Sequence, residues 1–337
     1  MRKYGILLMS LITLACSESK ETRMQRYLMQ GNEMIEQQNA SEAERYFKEA
    51  LRLDSCFADA WNNLGTLYYN QGKYDEALAS YNHAVNCKPG YTDAYLNRAN
   101  AAYETKEYYL ALADLDKVEK VKPDTVAVHF ARALVLTKLR KFDEAIIRFQ
   151  KARSLDPENI EIRVNLGTLY YYKKQYDSAQ LIFDEILRVQ PEEPSTLNAL
   201  GMMAIDQLQY VEARAWITKA LSIKPDDAYF LNNRGYLLLM TGDLENARKD
   251  IDQSISMDPY NGWAYRNKGI YFLKTKQIED AIRLFKRAEE ADPFIDKLYL
   301  YLSEAYLQQK DFSNACLAYK KAQQNGEAGN TTLKPCK

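Results

Sequence analysis

Residues 58–91 read ADAWNNLGTLYYNQGKYDEALASYNHAVNCKPGY, and this 34-residue stretch determines the fold. Apolar side chains recur in two runs at intervals of three and four residues, as they do in amphipathic helices. Pro89 lacks a backbone N–H and disfavours helix at the residue before it, so it ends the second run. The stretch therefore predicts a pair of helices.

The same pattern recurs along the chain with a constant period of 34 residues. Alanine marks one register in nine successive units, at Ala43, Ala77, Ala111, Ala145, Ala179, Ala213, Ala247, Ala281 and Ala315. Proline marks a second register in seven units, at Pro89, Pro123, Pro157, Pro191, Pro225, Pro259 and Pro293. A small residue, most often glycine, stands twelve places before each alanine, which predicts a close crossing of the two helices.

The second unit resembles the tetratricopeptide repeat at all eight positions of that family's pattern: Trp61, Leu64, Gly65, Tyr68, Ala77, Tyr81, Ala84 and Pro89. The resemblance implies an all-α fold, a right-handed superhelical solenoid of about nine tandem helix pairs. Nine repeats counted from Met24 cover residues 24–329 and leave a tail at 330–337. Because such repeats share one continuous core, we expect a single long domain.

The N-terminus has the pattern of an export signal. Arg2 and Lys3 precede an apolar run that is too short to span a bilayer, and Cys16 follows it. Residues 13–16 resemble the lipobox of bacterial lipoproteins, except that Thr13 stands where the family usually has leucine. We therefore expect a signal peptide at 1–15, lipidation of Cys16, and a linker within 16–23. The alternatives are an ordinary secretory signal, in which Cys16 is incidental, and an uncleaved N-terminus.

Composition and motifs argue against several function classes. The 45 Lys and Arg balance 46 Asp and Glu, so the chain lacks the basic surplus that nucleic-acid binding needs. His83 and His129 are the two histidines, and no His or Cys pair has metal-ligand spacing. No phosphate loop or nucleophile motif occurs. We therefore expect neither an enzyme nor a metal or cofactor site, and we expect His129 to pack in the core.

Function on such a frame is expected on the concave face, formed by one side of each first helix. The sixth position carries asparagine in five repeats, at Asn63, Asn97, Asn165, Asn233 and Asn267. The twelfth position carries tyrosine in three, at Tyr69, Tyr103 and Tyr171. Amide groups can pair with an extended backbone, and tyrosine combines a large contact area with a polar end. These eight residues form the predicted peptide-binding site, although a solvated face without a partner explains the asparagines equally well.

The predicted concave face also has an uneven charge. Its acidic residues dominate repeats one to six, where they oppose only Lys138: Glu36, Asp59, Asp93, Glu104, Glu161 and Asp206. Repeats eight and nine are predominantly basic, with Arg266, Lys274 and Lys297 against Glu304. A partner segment with the complementary gradient would bind in one direction.

Four further cysteines permit disulfides in an exported protein. The local pairings are Cys56 with Cys87 and Cys316 with Cys336, and four unpaired thiols are an equal alternative.

Together these features predict a lipid-anchored scaffold or adaptor in a bacterial cell envelope, at the outer membrane or in the periplasm. It would bind a protein or an extended peptide in its concave groove. The alternative is an outer-membrane nutrient lipoprotein that binds glycan, although the resemblance implies long insertions in such proteins, which the constant period lacks.

Overall fold

The computed structural model describes residues 18–327 and Cys336; the signal segment and Cys16 lie outside the described residues. The described part consists of eighteen α-helices and contains no strand. Two helices fall in each 34-residue period, so the predicted all-helical fold of nine tandem pairs is confirmed. Within this part of the chain, none of the helices combines the length and apolar character that crossing a membrane requires.

The helices group into two compact units, and the boundary between Asn159 and Ile160 coincides with the junction of repeats four and five. The first unit contains α1 Lys20–Glu36, α2 Ala40–Leu53, α3 Ala58–Asn70, α4 Tyr74–Cys87, α5 Thr92–Glu104, α6 Tyr108–Val121, α7 Val126–Lys138 and α8 Phe142–Leu155. Because each repeat packs mainly on its neighbours, such an array can divide at a repeat junction. The expectation of one continuous domain stays a prediction.

The second unit contains the remaining five repeats. Its helices are α9 Ile160–Tyr172, α10 Tyr176–Val189, α11 Pro194–Asp206, α12 Tyr210–Ile223, α13 Ala228–Thr241, α14 Leu244–Met257, α15 Gly262–Lys274, α16 Ile278–Ala291, α17 Leu298–Gln308 and α18 Phe312–Gln324. In both units, each second helix that is followed by a repeat proline ends two residues before it, as α4 ends at Cys87 before Pro89. The predicted stop signals are therefore confirmed.

The first helix begins earlier than the repeat pattern indicates. It starts at Lys20, four residues before Met24, because the Ser19 hydroxyl accepts a hydrogen bond from the Thr22 backbone N–H and caps it. The predicted linker over 16–23 is thus too long, since its last four residues are helical.

The small residue in each first helix permits the close crossing that the sequence predicts. A Cβ built on Gly65 would lie 2.7 Å from Cε1 of Tyr81, a distance that real Cβ atoms do not tolerate. The Tyr81 ring is buried against this glycine, and Phe183 packs on Gly167 in the same way. In repeats two and five, the apolar core therefore depends on a glycine and a bulky side chain sixteen residues apart.

The turn inside each pair has one conformation that the sequence does not announce. The fifteenth residue of the repeat lies in this turn and has a positive φ in all nine repeats, yet only Gly72 and Gly242 are glycines. The other seven are Gln38, Lys106, Arg140, Lys174, Leu208, Lys276 and Lys310. Leu208 is the least suited, because an apolar side chain offers no local hydrogen bond in the left-handed region.

Some repeats replace core leucine by arginine. Leu64 and Leu166 fill the seventh position in repeats two and five, whereas Arg98 fills it in repeat three. Asp114, which is fully buried, receives two hydrogen bonds from Arg98, at 2.6 Å from Nε and 2.7 Å from Nη2. Arg234 makes the corresponding pair with Asp250 in repeat seven. The core of these repeats is thus held by a bidentate ion pair.

Both local disulfides are present. Cys56, in the loop between α2 and α3, is bonded to Cys87 at the end of α4, so this bridge links repeats one and two. Cys316 on α18 is bonded to Cys336, which fixes the end of the chain to the last helix. The alternative of four unpaired thiols is therefore wrong.

Candidate functional site

The first helices of successive repeats lie side by side within each unit. We call their shared surface the ladder face; it is formed by the second, fifth, sixth, ninth, twelfth and thirteenth residues of each 34-residue repeat, counted from Met24. This is the surface that the sequence predicts to be concave. The ladder face of each unit is described separately.

In the first unit, asparagine side chains on the ladder face bond to one another. Asn97 donates from Nδ2 to Oδ1 of Asn62 at 3.0 Å, and Asn62 donates in turn to Asn63 at 3.3 Å. Asn63 then donates to Oδ1 of Asn32 at 2.8 Å. This amide chain crosses α5, α3 and α1. Since each amide nitrogen carries two N–H groups, every member keeps at least one donor beyond the chain.

The second unit contains the same arrangement. Asn267 donates to Asn232 at 2.8 Å, Asn232 to Asn233 at 3.4 Å, and Asn233 to Asn198 at 3.1 Å. Asn267 is buried, with 1% of its surface exposed, whereas Asn233 is half-buried. Asn165 takes no part, because its amide donates to the carbonyl of Glu161 on its own helix.

Four of the five predicted asparagines thus belong to two amide chains, and Asn165 does not. The pattern by which they were predicted, one asparagine per repeat at the sixth position, missed the four partners that complete the chains: Asn32, Asn62, Asn198 and Asn232. A signal was available in the sequence. The Asn-Asn dipeptides at 62–63 and 232–233 stand at the centre of each chain, in repeats two and seven.

Each of the three predicted tyrosines packs on another tyrosine. Each stands beside the tyrosine that opens the second helix of its own repeat. Ring centroids are 5.3 Å apart for Tyr69 and Tyr74, and 6.0 Å apart for Tyr103 and Tyr108. Tyr171 and Tyr176 are 6.3 Å apart. All three predicted rings are half-buried, so each combines packing with partial exposure on the ladder face.

Acidic groups on the ladder face of the first unit are largely paired. Asp93 accepts a 3.0 Å hydrogen bond from Lys122, and Asp59 lies 3.8 Å from the Lys88 ammonium. Glu104 keeps a raised pKa through burial, which the positive charge of Lys138 opposes. The predicted acidic half of the groove is therefore less negative than the residue count indicates.

In the second unit, a polar cluster surrounds Tyr171. Lys174 donates to Asp206 at 2.9 Å, and Tyr176 donates to the same oxygen at 3.4 Å. Burial raises the pKa of Tyr171 well above its usual value, and the charges of Asp206 and Asp296 add to the effect. Burial alone would lower the pKa of Lys174, but its bond to Asp206 raises it.

One cation of the predicted basic end, Arg266, is not available as free charge. Arg266 is 2% exposed and lies between the rings of Tyr236 and Trp263, 4.7 and 4.8 Å from their centroids. Its guanidinium donates to Oδ1 of Asn267 and to the carbonyl of Asp296. Arg266 thus holds one end of the amide chain and the backbone just before α17 in place. Its position in the sequence did not reveal this role.

Glu327 lies close to this cluster. Burial raises its pKa to about 7, although the Leu300 backbone N–H, 3.3 Å away, stabilises its charged form. One of its oxygens has no hydrogen-bond partner among the described residues.

Two features of the described part of the chain concern metal binding and the packing of His129. Residues 18–327 and Cys336 contain no cluster of three His, Cys, Asp or Glu side chains suited to a metal ion. His129 is buried, and its Nε2 lies 2.9 Å from the carbonyl of Pro123. The predicted packing role of His129 is confirmed.

Comparison with protein families gives a consistent result. Residues 28–92, 96–160 and 266–330 match one family described as tetratricopeptide repeat, and these segments make up more than half of the chain. Residues 136–202 and 216–249 match two further families of the same description. Among curated proteins, no sequence matches the chain.

Several solved structures are similar. A chain of the APC/C hetero-tetramer Cut9-Hcn1 is 15% identical, with a TM-score of 0.60 over 93% of this chain and 62% of that one. The pilF protein of Pseudomonas aeruginosa is 18% identical, with a TM-score of 0.53 over 63% and 96%. A tetratricopeptide-repeat protein from Parabacteroides merdae is 21% identical, with a TM-score of 0.49 over 84% and 98%. The first two likenesses support the fold alone.

Proposed function

Because the chain belongs to the tetratricopeptide-repeat family, whose members are generally non-enzymatic scaffolds, we propose that it binds a protein partner as an extended segment along its ladder face. The observation that carries this proposal is the pair of amide chains. Each chain has partly exposed asparagines with an N–H donor left over, Asn63 and Asn97 in the first unit and Asn198 and Asn233 in the second. Tyr69 and Tyr103 stand on the same helices as Asn63 and Asn97.

The chemistry of the two amide chains suits an extended backbone. Such a segment presents unpaired C=O groups at regular spacing, and amide N–H donors bind them with little regard to side-chain identity. The tyrosines supply contact area at small entropic cost, because each has few rotatable bonds and is already packed on a partner ring. We therefore expect sequence tolerance along the backbone and selectivity at the tyrosines.

A crosslinking capture experiment tests this proposal. The full-length protein is used beside a variant with Asn63→Ala, Asn97→Ala and Asn233→Ala, which changes both amide chains, on membranes of the source cell. The matched control is Asn86→Ala, an exposed asparagine on α4 away from the ladder face. We expect one protein partner that the triple variant loses and the control keeps.

Two results would count against the proposal. If the triple variant still captures the partner in full, the asparagines are not part of the binding site. Capture of no protein, together with binding of a soluble glycan, would favour the glycan-binding alternative. Thermal melting of the triple variant separates a lost contact from a lost fold, because the Asn63 and Asn97 amides also bond within the protein.

We further propose that Cys16 carries a lipid and holds the protein at a membrane of the bacterial envelope. The sequence pattern supports the lipid. The early start of α1 at Lys20 bears on the distance from the membrane. Only residues 17–19 would separate a lipidated Cys16 from the helix, which is about 11 Å at ~3.6 Å per residue. The first repeat would then work next to the bilayer surface.

Metabolic labelling with an alkynyl fatty acid tests the anchor. We expect label on the wild type and on a Cys336→Ser control, and none on Cys16→Ser, which should also leave the membrane fraction. Equal labelling of Cys16→Ser would contradict the proposal.

A further inference from the structure

A cavity of about 460 Å³ lies in the first unit between α2 and α4, the second helices of repeats one and two. Leu51, Trp61 and Leu64 form its apolar floor. Trp61 and Leu64 are the fourth and seventh residues of their repeat, so the cavity uses a side of α3 that the ladder face does not. Its volume falls within the ~300–1,000 Å³ typical of small-molecule sites.

Repeat two has small side chains in two registers where repeat five has large ones, and this leaves room for the cavity. Ser80 and Ala79 line it, and the same two registers carry Ile182 and Leu181 in repeat five. Ser80 is buried, and its hydroxyl donates to the carbonyl of Glu76 at 2.8 Å, so it turns toward its own helix. The space above Leu64 is therefore left open.

Cationic and donor groups dominate the rim. Lys48 and Arg52 stand one turn apart on α2, and His83 stacks on the Trp61 indole across from them, with ring centroids 4.3 Å apart. Glu76 is the one acidic residue of the lining.

The existing ion pairs of the rim are weak ones. Lys48 pairs with Glu44 and Arg52 with Glu49, and both cations keep more than half of their side-chain surface exposed. Exposed pairs of this kind contribute little. A second carboxylate can therefore share or replace these contacts without a large cost.

We propose that this cavity binds a small carboxylic acid with an apolar alkyl body. The alkyl chain packs against Leu51, Trp61 and Leu64, while the carboxylate lies between Lys48 and Arg52. This site is separate from the ladder face, so it stands whether or not an extended partner binds there. A neutral ligand of the same length fills the floor equally well but makes no use of the two cations.

Titration calorimetry on the full chain tests the proposal with octanoate and 1-octanol as matched probes. We expect one octanoate per chain and about tenfold weaker binding of octanol. Ser80→Ile, which introduces the residue that repeat five uses, fills the cavity and removes binding of both probes. Lys48→Gln with Arg52→Gln weakens octanoate about tenfold and leaves octanol unchanged.

Arg188→Gln serves as the matched control, because Arg188 occupies the register of Arg52 in repeat five, outside the cavity. It should bind octanoate like the wild type. Should Ser80→Ile fail to fold, Ala79→Leu replaces it, since Leu181 stands in that register. Octanoate binding that survives cavity filling, equal affinity for octanol, or an equal loss in Arg188→Gln would each overturn the proposal.

Discussion

The Arg98–Asp114 pair permits a sharp test of how the repeat cores are stabilised. Asp114 has no exposed side-chain surface and Arg98 has 10%, so removing either partner leaves a charge in the core. Breaking a buried pair in this way costs about 3–5 kcal/mol. The stability loss for Arg98→Leu should lie at the upper end of this range, because the remaining ion pair of Asp114 is with Lys117 at 3.7 Å. The stability loss for Asp114→Ile should lie at the lower end, because Arg98 retains its 2.7 Å hydrogen bond to Asn82.

The double variant separates pairing from packing. Arg98→Leu with Asp114→Ile introduces the side chains that repeat five uses at these registers, Leu166 and Ile182. Replacing a buried ion pair by apolar residues of similar volume is often neutral or stabilising. We therefore expect the double variant within about 1 kcal/mol of the wild type, or above it, and far from the sum of the single losses.

Urea unfolding followed by far-UV circular dichroism measures these differences. The Arg234–Asp250 pair is a matched comparison. Because Arg234 is 37% exposed, removing Asp250 should lower the free energy of unfolding by less than removing Asp114 does. Single variants of Arg98 and Asp114 that each cost under about 1 kcal/mol would refute the buried-pair account. So would a double variant whose loss equals the sum of the two single losses.

Three further changes have defined outcomes. Leu208→Gly should raise stability by about 1 kcal/mol by relieving the left-handed backbone, and Gly72→Leu should lower it by a similar amount; thermal melting checks both. Cys56→Ser with Cys87→Ser should lower the free energy of unfolding by about 2–4 kcal/mol in urea titrations, and an unchanged midpoint would contradict a stabilising bridge. Burial raises the folded pKa of Glu327 from 4.5 to about 7, so ionisation penalises the fold as pH rises between these values. The melting temperature of Glu327→Gln should rise relative to that of the wild type as pH increases from 4.5 to 7. Melting temperatures of the two proteins that change with pH in parallel would contradict the shifted pKa.

Much of the fold could be predicted from the sequence because the repeat period is itself a physical constraint. A glycine sixteen residues before Tyr81 or Phe183 predicts a close helix crossing, and the structure places those rings on that glycine. The positive φ at the fifteenth residue was not predictable, because side chains as different as Lys106 and Leu208 adopt it. Tertiary packing of the two helices overrides local preference there.

The candidate site was less predictable because side-chain pairing depends on neighbouring repeats. Asn63 and Asn267 were identified by their position, but their partners Asn32 and Asn232 occupy different registers. Arg266 reads as a free cation in the sequence, whereas two aromatic rings bury it in the structure. A one-residue pattern cannot show which of its members are already satisfied.

The central claim is that the ladder face holds a partner protein, and site-specific photo-crosslinking in the source cell tests it most directly. A photoreactive residue replaces Asn70, an exposed ladder-face position at the end of α3, or Asn86, an exposed position on α4. The account predicts that Asn70 yields a discrete adduct with one protein and Asn86 does not. An adduct with that protein at Asn86, and none at Asn70, would contradict it.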